Sequence, residues 1–241
     1  DFLDVRVGVA DQPTTTQVAF PDGGDPELRA RIDGLIAARQ TTPAVPVRLR
    51  LTEVGALGLS GPADLTEATA RWIIAQLAVL QSPRDVVIAA ALSDARASEW
   101  QWLNWLPHVS NAGSPLDGPG IAVGAAASSE LLRQAARLAA ERREESAGRA
   151  RGRRHTTLVL LVDDDVAPQR AVVDELLADC AEIDIIAIWI ARARRDLPGG
   201  CGALVDLKTG RAVCSVTWTQ SGRTIDDASV DGLPIDVADG I

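Results

Sequence analysis

The chain has a single lysine, Lys208, among its 241 residues, and it contains neither methionine nor tyrosine. Arginine supplies the other basic charges, and acidic residues outnumber basic ones by 33 to 24, so the net charge is −9. A chain this acidic argues against nucleic acid as the main partner. Because it begins at Asp1 rather than at an initiator methionine, we expect it to be a piece of a longer protein.

Histidine, cysteine and long apolar runs are also scarce. The two histidines, His108 and His155, are isolated, and the three cysteines have no metal-type spacing. This pattern gives no support for a zinc site or for a histidine-based hydrolase. No apolar run approaches the roughly 18 residues that a membrane-spanning helix needs.

The cysteines are expected to be reduced. A hairpin turning at residues 209–210 would place Cys214 opposite Val205 and Cys201 opposite Trp218, so these two thiols should not pair. Together with Cys180, they indicate three mostly buried thiols in a reducing, cytosolic setting.

The length and the 46% hydrophobic content predict one domain with a full core. A continuous apolar run at Val86–Leu92 and predicted strands at Thr157–Val162 and Ile183–Ala191 alternate with helical patterns, which is typical of an α/β fold with a mostly parallel sheet. We expect residues 1–46 to form a strand–helix lead-in and residues 219–241 to form a loosely ordered C-terminal linker.

The stretch Val54–Leu80 predicts a short strand, a tight Gly-Pro turn and a long buried helix. Asp64 is expected to cap the helix, with Glu67 completing a capping box. A strand, glycine turn and helix in this order can bind phosphate, because backbone N–H groups and the helix N-terminus converge there. The candidate phosphate loop consists of Ser60, Gly61, Pro62, Ala63, Asp64, Leu65 and Thr66.

This loop lacks the chemistry of a working phosphate site. When the sequence is aligned from Gly61 with the motif G-x-x-x-x-G-K-[ST], Glu67 takes the place of the lysine and Ala68 that of the hydroxyl residue. The lysine normally reaches the phosphates and the hydroxyl holds Mg²⁺. A carboxylate at the lysine position would repel phosphate, and we therefore interpret the loop as vestigial.

A second nucleotide-type signal is the run LVLLVDDD, an apolar strand that ends in carboxylates. In a Walker B element the first carboxylate helps to hold Mg²⁺ and its neighbour orients the attacking water. Asp163 would be the metal carboxylate, and Asp164 would replace the usual glutamate. The alternative is a set of polar residues that ends a strand and caps the next helix. The preceding strand–turn–helix favours Walker B ancestry.

Two arginine groups and a tryptophan-rich stretch have open interpretations. The eight arginines between Arg133 and Arg154 could bind an anion or partner, or could form a solvated helix face paired with glutamates. Arg192, Arg194 and Arg195 could reach a phosphate in a neighbouring subunit, or could pair within their loop. The stretch EWQWLNWLPHV could fill the core or dock a partner, with Trp102 and Trp105 on one helix face. The candidate interaction residues are Trp102, Trp105, Pro107 and His108.

The residues also carry a family resemblance. The segment WLNWLPHV resembles the W-x-W-L-x-W-L-P-H signature of EccC, the FtsK/SpoIIIE-type ATPase family of type VII secretion in actinobacteria. DFLDVRVGVA, AQLAVLQSPRDVVIAAAL and LAAERREESAGR are similar to other parts of its membrane-proximal domain of unknown function. The resemblance extends over nearly the whole chain.

The resemblance implies a RecA-like P-loop fold with degenerate nucleotide motifs. It further implies a cytoplasmic position, tethered to the membrane by helices outside this chain, and a hexameric assembly with other secretion subunits and downstream ATPase modules. Helical secreted proteins would be indirect partners, and nucleic acid would not be a partner. We expect no cofactor for this domain, with ATP and Mg²⁺ as the alternative.

Three functions therefore stand as hypotheses. The first is a degenerate ATPase domain that couples the membrane base to downstream motors. The second is an atypical ATP-hydrolysing domain in which an arginine near Gly61–Thr66 replaces the lysine. The third is a recognition module that uses the tryptophan stretch.

Overall fold

The computed structural model describes residues 2–16, 18–19, 23, 25–109, 113–148, 155–166 and 168–240. These residues form one ten-stranded sheet. The strands are β1 (Asp4–Pro13), β2 (Thr41–Arg50), β3 (Ala56–Ser60), β4 (Val86–Leu92), β5 (Ile121–Val123), β6 (Thr157–Asp163), β7 (Ile185–Ala191), β8 (Ala203–Leu207), β9 (Val213–Trp218) and β10 (Thr224–Val230).

Helices cover both faces of the sheet. The α-helices are α1 (Pro26–Ala37), α2 (Leu51–Val54), α3 (Ala63–Leu80), α4 (Ala125–Gly148), α5 (Arg170–Leu177) and α6 (Ile235–Ala238). Short 3₁₀ helices lie at Ala97–Trp105, Asp164–Val166, Cys180–Ile183 and Arg194–Asp196. One core packs α3 and the first 3₁₀ helix on the sheet, and the other packs α4 and α5.

The strand order is β2-β1-β10-β9-β8-β3-β7-β6-β4-β5. Strands from β8 to β5 in this order are parallel to one another, and those from β8 to β2 are paired antiparallel. The completely buried strands β4, β6 and β7 coincide with the apolar runs of the sequence. The prediction of an α/β fold with a mostly parallel sheet is confirmed.

The C-terminal segment corrects one prediction. Residues 219–241 were expected to be a loosely ordered linker, but β10 lies inside the sheet, between β9 and β1. Its ladder to β9 is irregular between Ile225 and Ala228, where Asp227 has a φ of 53°. This bulge breaks the alternation of apolar residues from which a strand is recognised.

The N-terminal lead-in also belongs to the sheet. Residues 41–46, the last part of the lead-in, belong to β2 at the edge of the sheet, although Pro43 and Pro46 give them a turn-like sequence. Pro43 and Pro46 are compatible with this strand because an edge strand has one side without ladder partners.

The hairpin of β8 and β9 forms as expected, but its register differs by two residues. Cys214 lies opposite Leu207, and Trp218 lies opposite Ala203. Cys180, Cys201 and Cys214 are all free and buried, as predicted. Burial raises the pKa of the Cys180 and Cys214 thiols to about 11 and that of Cys201 to about 12. In the described part of the chain, no helix has the length and apolar character to cross a bilayer.

Candidate functional site

The carboxyl ends of the parallel strands bring the predicted nucleotide residues to one edge of the sheet. Ser60 ends β3, Asp163 ends β6, and Ser93 follows β4. Ligands bind at this edge in open α/β sheets, in the crevice outside the strand ends. The structure therefore places the candidate phosphate loop and the candidate Walker B carboxylate at the edge where α/β sheets bind ligands.

The backbone geometry explains why residue 61 is a glycine. Its φ is +138°, and a Cβ atom at this position would lie 2.6 Å from the carbonyl oxygen of Leu207 at the end of β8. Only glycine fits so close to that carbonyl. The hydroxyl of Ser60 donates to the Asp206 carboxylate on the same neighbouring strand. The loop is thus held against β8.

The start of α3 differs from the predicted capping box. Pro62 is the N-cap residue, and the helix begins at Ala63. Asp64 therefore lies in the first turn, exposed to solvent, and not at the cap. The hydroxyl of Thr66 donates back to the carbonyl oxygens of Pro62 and Ala63, at 3.0 Å each. Leu65 is half-buried.

Glu67 faces inward from α3 instead of closing a capping box. Its Oε1 lies 3.0 Å from Nη1 of Arg96, and its Oε2 lies 3.8 Å from Nη1 of Arg71. Burial raises the pKa of the Glu67 carboxyl, which the Arg96 charge partly opposes. Arg71 is buried as well, and its other contacts are Glu99 at 3.2 Å and the carbonyl of Leu233 at 2.9 Å.

Asp163 is fully buried, and both of its carboxylate oxygens have protein partners. The backbone N–H of Ser93, at 3.2 Å, and its hydroxyl both donate to Oδ2. Oδ1 accepts from the N–H of Asp165 at 3.1 Å and lies 3.3 Å from Nε of Arg96. The carboxylate that would hold Mg²⁺ is therefore engaged by the chain itself.

Arg96 connects the two halves of the candidate site. Its buried guanidinium lies between Glu67 at the lysine position and Asp163 at the Walker B position, and it also approaches Asp165 at 3.7 Å. We name these four residues the Arg96 cluster. Sequence analysis missed Arg96, which belongs to no motif. The available signal was Glu67, a carboxylate on a helix predicted to be buried, which needs a cation beside it.

The residues present do not fit a Mg²⁺–nucleotide complex. The position of the P-loop lysine carries a buried carboxylate, and the one lysine of the chain, Lys208, pairs with Asp227 at 2.6 Å. Both oxygens of Asp163 already accept hydrogen bonds from backbone or hydroxyl donors. The cations beside these carboxylates are Arg96, which contacts both, and Arg71, which lies 3.8 Å from Glu67, and both are already paired with acidic side chains.

Asp164 has a different environment. It is half-buried, and its carboxylate has no hydrogen-bond or ion-pair partner among the described residues. Burial and the neighbouring carboxylates of Asp196 and Asp165 raise its pKa above the ordinary value of 3.8. At pH values above 3.8, the unfolded chain loses the Asp164 proton more readily than the folded chain does. The free energy of unfolding therefore falls as the pH rises from the pKa of Asp164 in the unfolded chain to its higher pKa in the folded chain.

Among the residues that the structure describes, the arginines of both groups are paired within the chain. Arg192, Arg194 and Arg195 pair with Asp165 at 3.2 Å, Asp206 at 2.8 Å and Asp196 at 3.5 Å. This arrangement favours the loop salt-bridge alternative.

Within the Arg133–Arg154 group, each described arginine has a partner. Arg133 and Arg137 pair with Glu130, while Arg142 is buried and donates to three carbonyl oxygens. Burial lowers the pKa of Arg142. Arg143 donates to the carbonyl of Ala178. The other four arginines lie outside the described residues.

The tryptophan stretch divides into buried and exposed residues. Trp102 is buried and stacks with Trp100 at 6.3 Å between ring centroids, whereas Trp105 is exposed. The two residues lie three apart in one 3₁₀ helix that ends at Trp105, yet only Trp102 packs in the core. His108 is buried, with Nε2 3.0 Å from the carbonyl oxygen of Gln81, and Pro107 is exposed.

Comparisons with known proteins give a consistent picture. No family model matches the chain. The ESX-4 secretion system protein EccC4 of Mycobacterium tuberculosis is 34% identical over 113 residues, which are 45% of this chain and 9% of that protein. The ESX secretion system protein EccC of Thermomonospora curvata is 31% identical over 113 residues, again 45% of this chain and 9% of the relative. The matched segment is thus a small part of these relatives.

Solved structures are similar in fold. The structure of T. curvata EccC ATPases 2 and 3 in complex with a signal sequence peptide matches with a TM-score of 0.56 and 16% identity, covering 99% of this chain and 45% of that one. The cytoplasmic domain of the T. curvata type VII secretion ATPase EccC matches with a TM-score of 0.50 and 19% identity, covering 69% and 22%. At these sequence identities the structural similarity is evidence for a shared fold.

Proposed function

Because the chain is a homologue of the EccC proteins of ESX secretion systems, we propose that it is a non-hydrolysing ATPase-fold domain that couples motion within a type VII secretion ATPase. The observation that carries this proposal is the Arg96 cluster. Its guanidinium pairs with both Glu67 and Asp163 from within the chain, which supports a site that is closed by protein side chains rather than shaped for a nucleotide.

Coupling here means transmission of movement through packed surfaces. The Arg96 cluster connects α3, the loop after β4 and the end of β6 through buried ion pairs and hydrogen bonds. Buried, fully paired charges fix the relative positions of the elements that carry them. Such a rigid junction suits a domain that passes on displacements generated in downstream ATPase modules.

The proposal includes a setting for the domain. It would lie on the cytoplasmic side of the membrane, beside other secretion subunits, in a hexameric assembly whose secreted substrates it contacts only indirectly. A similar T. curvata structure is described as the cytoplasmic domain of EccC, which supports this setting.

The competing function is atypical ATP hydrolysis, and substitution of Asp164 distinguishes it from coupling. If the domain hydrolysed ATP, Asp164 would be the residue that orients the attacking water. Asp164→Asn in the chromosomal gene should leave export of ESX substrates into the culture medium unchanged, as measured by quantitative proteomics.

The matched control for export is Asp163→Ala, which removes a buried partner of Arg96 and should impair folding and export together. Thermal unfolding at pH 7 should find the Asp164→Asn chain at least as stable as the wild type, because a carboxylate whose ionisation opposes folding is gone. A stably folded Asp164→Asn protein that stops export would overturn the coupling function.

A further inference from the structure

The segment that follows β10 is attached to α3 by a backbone hydrogen bond and by apolar packing. The N–H of Leu233 donates to the carbonyl oxygen of Ala68 at 2.8 Å. The side chains of Leu233 and Ala238 are buried in the core that α3 shares with the sheet. A Cβ atom at Gly232 would lie 3.2 Å from Cβ of Ala68, so the segment runs close against the helix. We call residues 231–238 the strap.

Arg71 connects the strap to the buried carboxylates behind α3. Its guanidinium is buried, and its Nε donates to the carbonyl oxygen of Leu233 at 2.9 Å. Nη1 of the same group lies 3.2 Å from Glu99 and 3.8 Å from Glu67. A guanidinium is planar, and its donors point in fixed directions. A displacement of the Leu233 carbonyl therefore changes how Nη1 meets the two carboxylates.

A continuous line of polar contacts leads from the strap to the carboxyl edge of the sheet. Glu67, which Arg71 approaches, lies 3.0 Å from Arg96. Nε of Arg96 in turn lies 3.3 Å from Asp163. All four of these side chains are buried. Because charges in a low-dielectric interior interact strongly and are costly when unpaired, loss of one contact in this line weakens the next.

We propose that the strap and the Arg96 cluster open as one unit, with Arg71 as the positioning residue that links them. The inference rests on the proposed coupling function and deepens it, since it names the segment through which a displacement reaches the closed site. When the strap leaves α3, the buried Nε–H of Arg71 loses its acceptor. The guanidinium then turns towards solvent or towards Glu67, and either movement alters the pairing of Glu67 with Arg96. Since such coupling is reciprocal, an intact cluster also holds the strap on the helix.

Three backbone amides report on the two ends of this line. The N–H of Leu233 reports on the strap, because it bonds to α3. The N–H groups of Ser93 and Asp165 report on the Arg96 cluster, because both donate to the Asp163 carboxylate. The amide of Ile188, a fully buried residue in the middle of β7, reports on global unfolding. Hydrogen exchange followed by NMR measures each opening in the native 241-residue chain.

Ala238→Arg loosens the strap, because Ala238 is 1% exposed and a long charged side chain does not fit at its position. Val237→Arg is the matched control, since the neighbouring Val237 is 50% exposed. We expect Ala238→Arg to speed exchange at all three reporter amides by about tenfold or more, with little change at Ile188. Val237→Arg should leave all of these amides at their wild-type rates.

Arg71→Lys tests the link itself. Lysine keeps the positive charge beside Glu67 and Glu99 but replaces the rigid fork of donors by an ammonium group on a flexible stem. In this background Ala238→Arg should speed exchange at Leu233 and not at the two amides of the Arg96 cluster, because release of the strap no longer moves Glu67. Joint acceleration that persists in Arg71→Lys would overturn the role of Arg71 as the link.

The remaining outcomes are equally decisive. If Ala238→Arg speeds exchange at Leu233 alone in the wild-type background, the strap opens independently of the cluster and the linkage is overturned. Equal acceleration of every amide, Ile188 included, would mean that strap and cluster open only with the whole domain, which also overturns it. Unchanged exchange at Leu233 in both Ala238→Arg and Gly232→Val would show that packing on α3 does not hold the strap.

The exchange experiment is separate from the test of the proposed function. The rates are measured without nucleotide and without export. The linkage can therefore fail while Asp164→Asn leaves export normal, and the coupling function can fail in the export test while the linkage is observed. Failure of either proposal can be recognised on its own.

Discussion

Replacement of Arg96 by alanine should lower the free energy of unfolding by about 3–5 kcal/mol, the usual cost of breaking a buried ion pair from one side. The guanidinium is buried against Glu67 and Asp163, and its loss leaves the buried Asp163 carboxylate without a cation and leaves Glu67 with Arg71 alone, at 3.8 Å. Urea denaturation followed by tryptophan fluorescence measures the change.

Arg192→Ala is the matched control for Arg96→Ala. Arg192 is exposed and pairs with Asp165, which also belongs to the Arg96 cluster. Exposed ion pairs contribute about 0–1 kcal/mol, so this variant should be nearly as stable as the wild type. If both alanine variants lose the same small amount, Arg96 does not hold the site closed.

A double-mutant cycle extends the Arg96 test to the lysine position. Glu67→Gln and Arg96→Ala should each destabilise the chain, and the double variant should lose less than the sum of the two. Residues in direct contact show interaction energies of about 0.5–3 kcal/mol in such cycles. Strict additivity would mean that the 3.0 Å contact between Glu67 and Arg96 contributes nothing.

Trp102→Ala should cost about 3–5 kcal/mol, whereas Trp105→Ala should change stability by less than about 0.5 kcal/mol. Trp102 is buried and stacks with Trp100, while Trp105 is the most exposed of the large apolar side chains described. Thermal and urea unfolding of the two variants measure the difference. A large loss of stability in Trp105→Ala would show that Trp105 packs within the domain.

The parallel half of the fold could be predicted from the sequence because strands buried on both faces are continuous apolar runs. Val86–Leu92 and Thr157–Asp163 show this directly, since every residue in them is buried. The glycine turn before α3 and the carboxylate at the end of β6 could also be predicted, because each follows such a strand.

The antiparallel half was harder to predict, for a physical reason. In β10 a bulge near Asp227 interrupts the alternation of apolar and polar residues. In β2 two prolines give the sequence a pattern that is typical of a turn. Edge strands and bulged strands are stabilised by pairing partners distant in the sequence, which a local pattern does not reveal.

Prediction of the centre of the candidate site also required knowledge of which distant residues meet in the fold. Glu67 and Asp163 could be identified from motif positions, but their partner Arg96 lies in a loop without periodicity. Its position between the two carboxylates results from the approach of α3, β4 and β6 in space. The sequence therefore shows that the lysine of the motif is missing, but it does not reveal that Arg96 pairs with the Glu67 that takes its place.

The most direct test of a closed, non-hydrolysing site is calorimetric titration of this chain with ATP in the presence of Mg²⁺. The Arg96 cluster predicts no saturable heat up to millimolar nucleotide, because a carboxylate stands at the lysine position and the Asp163 carboxylate is already paired with Arg96 and Ser93. Saturable binding that is lost when Mg²⁺ is omitted would contradict a closed site and would favour the alternative that the domain hydrolyses ATP.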